Sequence, residues 1–593
     1  MDREEEQRFF LGLLLGLLLA RALRALLSTL FYESLATLRL NESAFWILVL
    51  LAPALAPFLG RRAQLLAVAL AGLATSALAL TRFTGWYVPL AALASAAGLL
   101  ALARAAAFAG ALAGLALDGA LLVLGHSVEP STLLLPLAAA AAAAALAWRL
   151  PLPTEARPGW LGGGALAALL AVELAFLASP YAASRWVGAP AWLAAAASGL
   201  GLVVGAARLR RAGGWLWAVG ALALADVALL RSPLAWLSLG LVQAALGAAG
   251  ARLAPSLATL RGAGAFAVVF AGLAFVLLYF RDPLGLREWG GVVPLLALLA
   301  AAPAARAARP HPARAPAARR RGGAVAAAAL LVATAVAAAT PAPIAQPRGD
   351  EIVLVSWNVH QAFGNRGALD PWIYADVLRS VQPDIVVLQE SDTARLSSGG
   401  VDIVRFLAHE LDMHAAYGRA GPAVLSRFPF ADEPRPPEED WTFEAALDVR
   451  GETLWVHGVH LARGRFPEER ERQVEALVSE APRGPHVVAG DLNMCPTTNC
   501  RGFGNAQPSG NSSEPHPLFG RLLTRYEDAW VAAGNHVDDP AGFTHSALRP
   551  VRRIDHILVE EVEVLEVRVL LDERTRAASD HLPVLARIRL APE

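Results

Sequence analysis

The chain has 593 residues, of which 55% are hydrophobic and 17% are charged, and its formal net charge is zero. Soluble proteins usually carry about 25% charged residues and domains usually contain ~100–200 residues, so the composition excludes a single soluble domain. The zero net charge gives no sign of a nucleic-acid partner. The sequence is rich in Ala, Leu and Gly up to about Ala345 and mixed from Gly349 onward. We therefore predict a polytopic membrane domain over 1–345 and a second domain over 346–593.

The first half contains many apolar stretches of the ~20 residues that a membrane-spanning helix needs. We interpret the first stretch as a retained helix rather than a signal peptide, because many similar stretches follow it. About thirteen candidate spans lie, in chain order, near 9–31, 44–60, 63–81, 86–103, 105–125, 132–148, 160–178, 188–207, 214–230, 233–251, 263–280, 289–305 and 323–340.

Arginines are concentrated in the loops that follow even-numbered spans, including a cluster over 306–321 before the last span. By the positive-inside rule, the N-terminus and these loops are cytoplasmic. An odd number of spans then places the second half on the extracytoplasmic side of the cytoplasmic membrane.

Three acidic residues lie inside predicted spans: Asp118, Glu173 and Asp226. A carboxylate within a membrane is costly and is by default a functional-site hypothesis. The alternative is a polar contact between helices, and neither a transport motif nor an internal repeat accompanies these acids. The sequence leaves both interpretations open.

The second half alternates apolar runs with amphipathic stretches. We predict strands over 352–359, 383–390, 423–429, 453–460, 486–493, 553–559 and 562–571, a last strand that ends near Leu590, and helices over 371–381, 401–411 and 467–480. This alternation favours a layered α/β or α+β fold. Polar residues recur where strands end, namely Asn358, Glu390, His460, Asp491, Asn493, Asp555, Asp580 and His581.

Strands of one sheet can bring such ends together at one edge, where the side chains suit a metal-assisted reaction. Asn358 and Glu390 offer the oxygen ligands that Mg²⁺ prefers, with Mn²⁺ as the alternative ion. No zinc motif and no Cys/His cluster is present, so a dedicated zinc site is not expected.

The remaining residues suit the handling of water and of a phosphate group. Asp491 could orient or deprotonate a water molecule, and Asp555 could hold His581 in one tautomer. His460 and Asn493 could donate hydrogen bonds to the non-bridging oxygens as charge builds in the transition state. Together these functions amount to hydrolysis of a phosphoester.

Each of these residues also has an ordinary structural explanation. An Asn or Glu after a strand is commonly a turn or helix-cap residue, and Gly490-Asp491-x-Asn493 alone is a good turn. The occurrence of all these residues in this order along one chain is much less expected by chance. The interpretation as a phosphoesterase site therefore rests on the combination and not on any single residue.

Six short segments form this combination, in the order Ser-Trp-Asn358-Val, Leu-Gln-Glu390, Val-His460-Leu, Gly-Asp491-Leu-Asn493, Arg-Ile-Asp555-His and Ser-Asp580-His581-Leu-Pro. Together they resemble the endonuclease/exonuclease/phosphatase superfamily, which includes DNase I, abasic-site endonucleases, neutral sphingomyelinases and inositol polyphosphate 5-phosphatases. The resemblance covers essentially the whole second half. It implies a DNase I-like four-layer α/β sandwich and Mg²⁺-dependent cleavage of phosphoesters.

The resemblance also implies a role for each matching residue. The implied roles are metal binding by Asn358 and Glu390, phosphate contacts by His460 and Asn493, water activation by Asp491, pairing of Asp555 with His581, metal binding or orientation of the site by Asp580, and proximity to the phosphate for Ser426 and Arg427. His556 departs from the pattern, because relatives often have Tyr there, and we expect little effect on catalysis.

Cys495 and Cys500 are the only cysteines of the chain and closely follow Asn493. If this domain is extracytoplasmic, a small disulfide loop is expected, whereas in the cytosol the two would be free thiols.

The overall architecture resembles the calcofluor-white-hypersensitivity family, which remodels GPI-anchor lipids and joins a multispan region to this type of domain. That resemblance implies a membrane-bound phosphodiesterase acting on a lipid or glycolipid headgroup, with membrane lipids as partners. The alternatives are a membrane-anchored extracytoplasmic nuclease and a transporter or receptor with a non-catalytic binding domain. A nuclease should carry a basic groove, and the second half has no obvious basic run beyond Arg549, Arg552 and Arg553.

Overall fold

Two units make up the chain in the computed structural model. The helical unit comprises Met1–Thr340 with Ala394–Val401, and the sheet unit comprises Pro341–Thr393 with Asp402–Glu593. Apart from isolated positions, the structure describes residues 2–31, 60–78, 87–105, 108–125, 134–150, 179–209, 214–230, 232–256, 317–339, 349–365, 369–391, 401–417, 421–432, 441–463, 466–497 and 516–590.

The helical unit consists of apolar helices with few charged residues. They are α1 (Asp2–Phe31), α2 (Arg61–Leu78), α3 (Tyr87–Ala105), α4 (Phe108–Leu124), α5 (Leu134–Arg149), α6 (Pro180–Val187), α7 (Ala191–Arg208), α8 (Gly214–Ala225), which continues as a π-helical turn (Asp226–Leu230), α9 (Ala235–Ser256) and α10 (Ala317–Ala339). The predicted spans 44–60, 160–178, 263–280 and 289–305 fall wholly or mainly outside the described residues, and the others fall on these helices.

One helical stretch among the described residues, Arg3–Leu26, is both long and apolar enough to cross a membrane. The other apolar stretches are shorter, at 10–17 residues, and include Phe108–Leu124 and Ala235–Ala251. Helix length alone therefore supports one span, and the thirteen-span arrangement stays a prediction.

Glycines allow α1 and α4 to pack with their backbones in contact. A Cβ atom at Gly110 would lie 1.9 Å from the carbonyl oxygen of Phe9, and one at Gly114 would lie 2.3 Å from that of Leu13. Small residues permit this kind of close helix approach. The same helix pair also contains a buried ion pair between Arg24 and Asp118.

The other two acids of the predicted spans have polar partners. Gln243 on α9 donates its amide to Glu173 over 2.9 Å and also lies 3.0 Å from the Ser198 hydroxyl. Asp226 accepts a hydrogen bond from the backbone N–H of Ser232 over 3.2 Å. All three acids thus make polar contacts within the helical unit, as expected if their role is to join helices through polar contacts.

The described residues of the sheet unit form eleven short strands, β1 to β11. They are β1 (Ile352–Asn358), β2 (Ile385–Gln389), β3 (His414–Tyr417), β4 (Ala423–Ser426), β5 (Thr442–Val449), β6 (Glu452–His460), β7 (His486–Asp491), β8 (Glu527–Asp528), β9 (Asp555–Glu560), β10 (Val562–Val569) and β11 (Val584–Leu590). The helices are α11 (Pro371–Val381), α12 (Ile403–Glu410), α13 (Pro467–Ser479), α14 (Pro517–Leu522), α15 (Ala529–Ala532) and α16 (Glu573–Ala578).

Two sheets are formed, with strand orders β10-β11-β1-β2-β4-β3 and β5-β6-β7-β9-β8. The first contains one parallel pair, β1 with β2, and the second contains one parallel pair, β6 with β7. Parallel neighbours end at the same edge, so the polar residues that follow these four strands collect at two sheet edges.

The apolar core lies between the inner faces of the two sheets. Leu354 of β1 and Val387 of β2 belong to one buried cluster with Val456 of β6 and Val487 of β7. A continuous apolar run is what a strand needs when both of its faces are buried.

Helices cover the outer faces of both sheets. The ring of Tyr374 on α11 lies 4.9 Å from that of Trp357 on β1. On the other side, Leu477 of α13 and Phe519 of α14 pack with Val488 of β7. The order helix, sheet, sheet, helix confirms the predicted α/β sandwich for this half of the chain.

The strands and helices that were predicted in the second half are all present, with ends that differ by a few residues. The sequence pattern does not predict β3, β5 and β8 or the helices α14 to α16. These are short or, like β5, sit at a sheet edge with a mixed sequence, so their apolar periodicity is weak.

Candidate functional site

The candidate site lies where β6 and β7 end and β9 begins, and strand register determines its composition. Asp491 at the end of β7 is in register with His460 of β6 and with Asp555 of β9. Its carboxylate lies 3.6 Å from Nε2 of His460 and 3.8 Å from Nε2 of His581. Register alone therefore brings predicted site residues from three strands to one point.

The first sheet contributes to the same point. The side-chain amide of Asn358, at the end of β1, donates to Oδ2 of Asp491 over 3.3 Å. Glu390 follows the neighbouring strand β2, and its carboxylate lies 4.0 Å from Nε2 of His460. The site thus spans the edges of both sheets.

Asp491 is almost fully buried, and its Oδ1 accepts a hydrogen bond from the backbone N–H of Asn493 over 2.8 Å. Burial raises the pKa of Asp491, although the nearby imidazole of His581 opposes the shift. A carboxylate with a raised pKa is a stronger base toward a water molecule than an ordinary aspartate.

His581 and Asp555 form a buried pair. Nδ1 of His581 lies 3.0 and 2.8 Å from the two carboxylate oxygens of Asp555. Burial lowers the pKa of His581, but the carboxylates of Asp555 and Asp491 outweigh it and raise the pKa to about 10. The raised pKa favours the charged form of His581, whose Nε2 lies 3.8 Å from the carboxylate of Asp491 and can stabilise charge on a phosphoryl oxygen.

Asn493 has its backbone in the left-handed region, at φ 50°. Its side-chain amide donates to the carbonyl of Leu461 over 3.0 Å, and its own carbonyl accepts from Arg470 over 2.7 Å. Both contacts hold the turn after β7 next to the segment that follows His460.

The donor set at the rim fits a hard divalent cation. The carboxylates of Glu390 and Asp580 interact electrostatically. The side-chain amide of Asn358 lies next to Asp491 at the end of β1. Carboxylates and amide oxygens are typical ligands of Mg²⁺.

Two other groups of side chains have metal-compatible spacing among the described residues. They are Asp491 with Asp555 and His581, and His545 with Asp580 and His581. His581 belongs to both groups, and because its Nδ1 faces Asp555, Nε2 is the nitrogen that could face an ion there.

The expected phosphate contacts by Ser426 and Arg427 are wrong. Strand β4 runs antiparallel to β2, and Ser426 is in register with Ile385, at the opposite end of β2 from Glu390. Arg427 is buried there and lies 3.3 Å from Asp384. Both residues support the sheet far from the site.

Two further predicted features lie beside the site rather than in it. His556 is buried, with Nε2 3.1 Å from the carbonyl of Met494. Cys495 is disulfide-bonded, and Cys500 lies outside the described residues.

Two histidines that the sequence pattern does not predict, His360 and His545, lie near Asp580. Nδ1 of His360 is 3.8 Å and Nε2 of His545 is 3.9 Å from its carboxylate. Burial lowers the pKa of His545 to about 4, with further contributions from His581 and Arg552. His360 stands two residues after Asn358, a position that could have signalled it, whereas His545 lies in a loop that no strand pattern marks.

Comparison with known proteins agrees with this geometry. Residues 355–581 match the Endonuclease/Exonuclease/phosphatase family, a range that includes nearly all of the residues described above. The sheet unit therefore contains an endonuclease/exonuclease/phosphatase-family domain, with the fold of the phosphoesterases of that family.

Individual relatives match parts of the chain. Protein cwh43 of Schizosaccharomyces pombe is 34% identical over 157 residues, which cover 23% of this chain and 15% of that protein. A crystal structure from Beutenbergia cavernae is 24% identical over 41% of this chain and 72% of its own, with a TM-score of 0.33. Humanized D. rerio TDP2 is 17% identical over 41% of this chain and 100% of its own, with a TM-score of 0.32.

Gly490 fixes the position of Asp491, and we expect Gly490→Ala to disturb the site. A Cβ atom there would lie 1.9 Å from the carbonyl oxygen of Val459, at a φ of 154°. We expect the sheet unit to lose about 2 kcal/mol or more of unfolding free energy, measured by pulse proteolysis in urea on the full chain. Gly484→Ala is the control, because its φ is also positive but nothing lies within 4 Å. Equal stability of the Gly490 and Gly484 variants would contradict this account.

Proposed function

We propose that the protein is a membrane-bound, Mg²⁺-dependent phosphodiesterase that hydrolyses a phosphoester of a lipid or glycolipid headgroup. The observation that carries the proposal is the convergence on Asp491 of Asn358 at the end of β1, His460 at the end of β6 and His581 in the segment before β11, within 3.3 to 3.8 Å. A buried base beside imidazole and amide donors is what attack of water on a phosphoester requires.

The proposed reaction divides the work among these residues. Asp491 accepts the proton of the attacking water as the water oxygen bonds to phosphorus, which its raised pKa favours. The ester P–O bond breaks in the same displacement, and the leaving alkoxide takes a proton from solvent. His581, held as a cation by Asp555, and the donors His460 and Asn493 stabilise the charge on the non-bridging oxygens. Fixed donors in a site that excludes water contribute strongly to such stabilisation, at roughly 10²–10³ in kcat for one donor.

Asn358, Glu390 and Asp580 are the residues that would hold the cation. A divalent ion bound there would neutralise charge on the phosphoester and polarise its oxygen. Magnesium is proposed over zinc because the donors are oxygens.

The helical unit supports a lipid environment. Leu222, Leu230 and Val332 are 73%, 75% and 64% exposed, whereas the charged side chains of Arg24 and Asp118 are buried. A surface of large apolar side chains over a buried ion pair is unfavourable in water and favourable in a bilayer. We therefore propose that this unit is embedded in the membrane through several spans, which makes a lipid headgroup the nearest phosphoester.

The orientation of the protein follows from two independent features. The arginines of the even-numbered loops place those loops in the cytoplasm by the positive-inside rule. The disulfide at Cys495 fits an oxidising compartment. Both features favour a catalytic domain on the extracytoplasmic face of the cytoplasmic membrane.

The proposed activity is tested with the purified full chain in detergent, with Mg²⁺ and with EDTA. The substrates are sphingomyelin, phosphatidylinositol, inositol phosphates and DNA. We expect Mg²⁺-dependent hydrolysis of a lipid, loss of at least ~10²-fold in kcat/KM in Asp491→Ala and His581→Ala, and little change in Ser426→Ala. The Ser426 variant is the control, because that residue lies at the opposite end of the sheet.

Two outcomes of this assay would contradict the proposal. Preferential cleavage of DNA would replace the lipid substrate by a nucleic acid. Hydrolysis that is independent of metal would show that the reaction does not need Mg²⁺. Equal hydrolysis by the Asp491 variant, the His581 variant and the wild type would show that these residues do not catalyse it.

The proposed orientation has its own test. Protease added to intact cells that lack an outer barrier should digest the sheet unit and leave the helical unit protected, as followed with a C-terminal tag. Protection of the tag in intact cells, with digestion after lysis, would place the sheet unit in the cytoplasm and overturn the span count.

A further inference from the structure

His545 occupies a fixed place at the edge of the site. Its backbone forms an antiparallel bridge with His581. Two backbone hydrogen bonds flank the bridge, from Ala547 to the carbonyl of Asp580 over 2.7 Å and from Leu582 to the carbonyl of Thr544 over 2.9 Å. The rings of His545 and His581 lie 4.7 Å apart in an edge-to-face arrangement.

Arg552 determines which nitrogen of His545 carries the proton. Nε and a terminal nitrogen of its guanidinium lie 3.2 and 2.7 Å from Nδ1 of His545. A guanidinium has only donors and stays charged in proteins. Nδ1 of His545 must therefore be the acceptor, and the proton of the neutral ring lies on Nε2.

In this tautomer the N–H group of His545 is at Nε2, the nitrogen that faces the site. Nε2 of His545 lies 3.9 Å from the carboxylate of Asp580, and one ring nitrogen each of His545 and His581 lie within 4.8 Å of each other and of that carboxylate. The ring thus presents an N–H group, without a full charge, toward the place where a phosphoester would be bound.

The same tautomer argues against His545 as a metal ligand, although its spacing from Asp580 and His581 would allow one. A ligating imidazole nitrogen needs a free lone pair. On His545 the nitrogen with the lone pair faces Arg552, and the nitrogen that faces the site carries hydrogen.

We propose that His545 is a substrate-contacting residue whose Nε2–H donates a hydrogen bond to a phosphoryl oxygen, with Arg552 as the positioning residue that fixes its tautomer. This inference rests on the proposed phosphoesterase function. It adds a neutral donor to the charged donor His581 and involves no proton transfer from His545.

The test compares three substitutions of His545 in the purified full chain, with bis(p-nitrophenyl) phosphate as the substrate and Mg²⁺ as the ion. Gln places an amide N–H near the position of Nε2, whereas Asn reaches only the position of Nδ1 and keeps an acceptor for Arg552. Ala removes both groups. Thermal unfolding of each variant is measured alongside and should match the wild type.

We expect His545→Ala and His545→Asn to lower kcat by about 100-fold with KM changed by less than about threefold, and His545→Gln to retain kcat within about fivefold. The Mg²⁺ concentration for half-maximal activity should stay the same in all three variants. A purely structural role would not separate Gln from Asn in this way.

Several results would overturn the inference while leaving the proposed function intact. They are wild-type kcat in the Asn variant, equal impairment of the Gln and Ala variants, or a Mg²⁺ requirement that rises several-fold in the Ala variant, which would make His545 a ligand. If the wild type itself hydrolyses neither this diester nor any lipid or nucleic acid, the proposed function fails and the inference with it.

Discussion

The register between β6, β7 and β9 is the constraint on which the site depends. It sets His460, Asp491 and Asp555 side by side at the edge of the second sheet. Gly490 makes the close approach possible, because any side chain there would overlap the carbonyl of Val459. A shift of one residue would turn Asp491 to the opposite face of the sheet and dismantle the site.

Burial changes the pKa values of the residues in this arrangement. Asp491 and Asp555 are both almost fully buried, and their carboxylates hold the single imidazole of His581 in its charged form. Because the same burial raises the pKa of Asp491, a base and a cation stand 3.8 Å apart. Water would weaken both effects, so the packed core between the sheets contributes directly to the function that we propose.

The sequence was sufficient for the parts of the site that follow strongly apolar strands. Asn358, Glu390, His460 and Asp491 each follow such a run, and parallel pairing brings them to common edges. His545 could not be found in this way, because its place depends on a bridge to a residue 36 positions away. The assignment of Ser426 and Arg427 failed because the direction of β4 relative to β2 is not visible in a local pattern.

The central claim is that the rim residues hold a divalent cation for hydrolysis, and the Mg²⁺ dependence of Glu390→Gln tests it most directly. Gln keeps the size of the side chain and removes the charge that a hard cation requires. We expect the Mg²⁺ concentration for half-maximal hydrolysis to rise by at least ~10-fold in this variant, with its thermal unfolding unchanged. An unchanged Mg²⁺ requirement in a fully active Glu390→Gln protein would contradict the account.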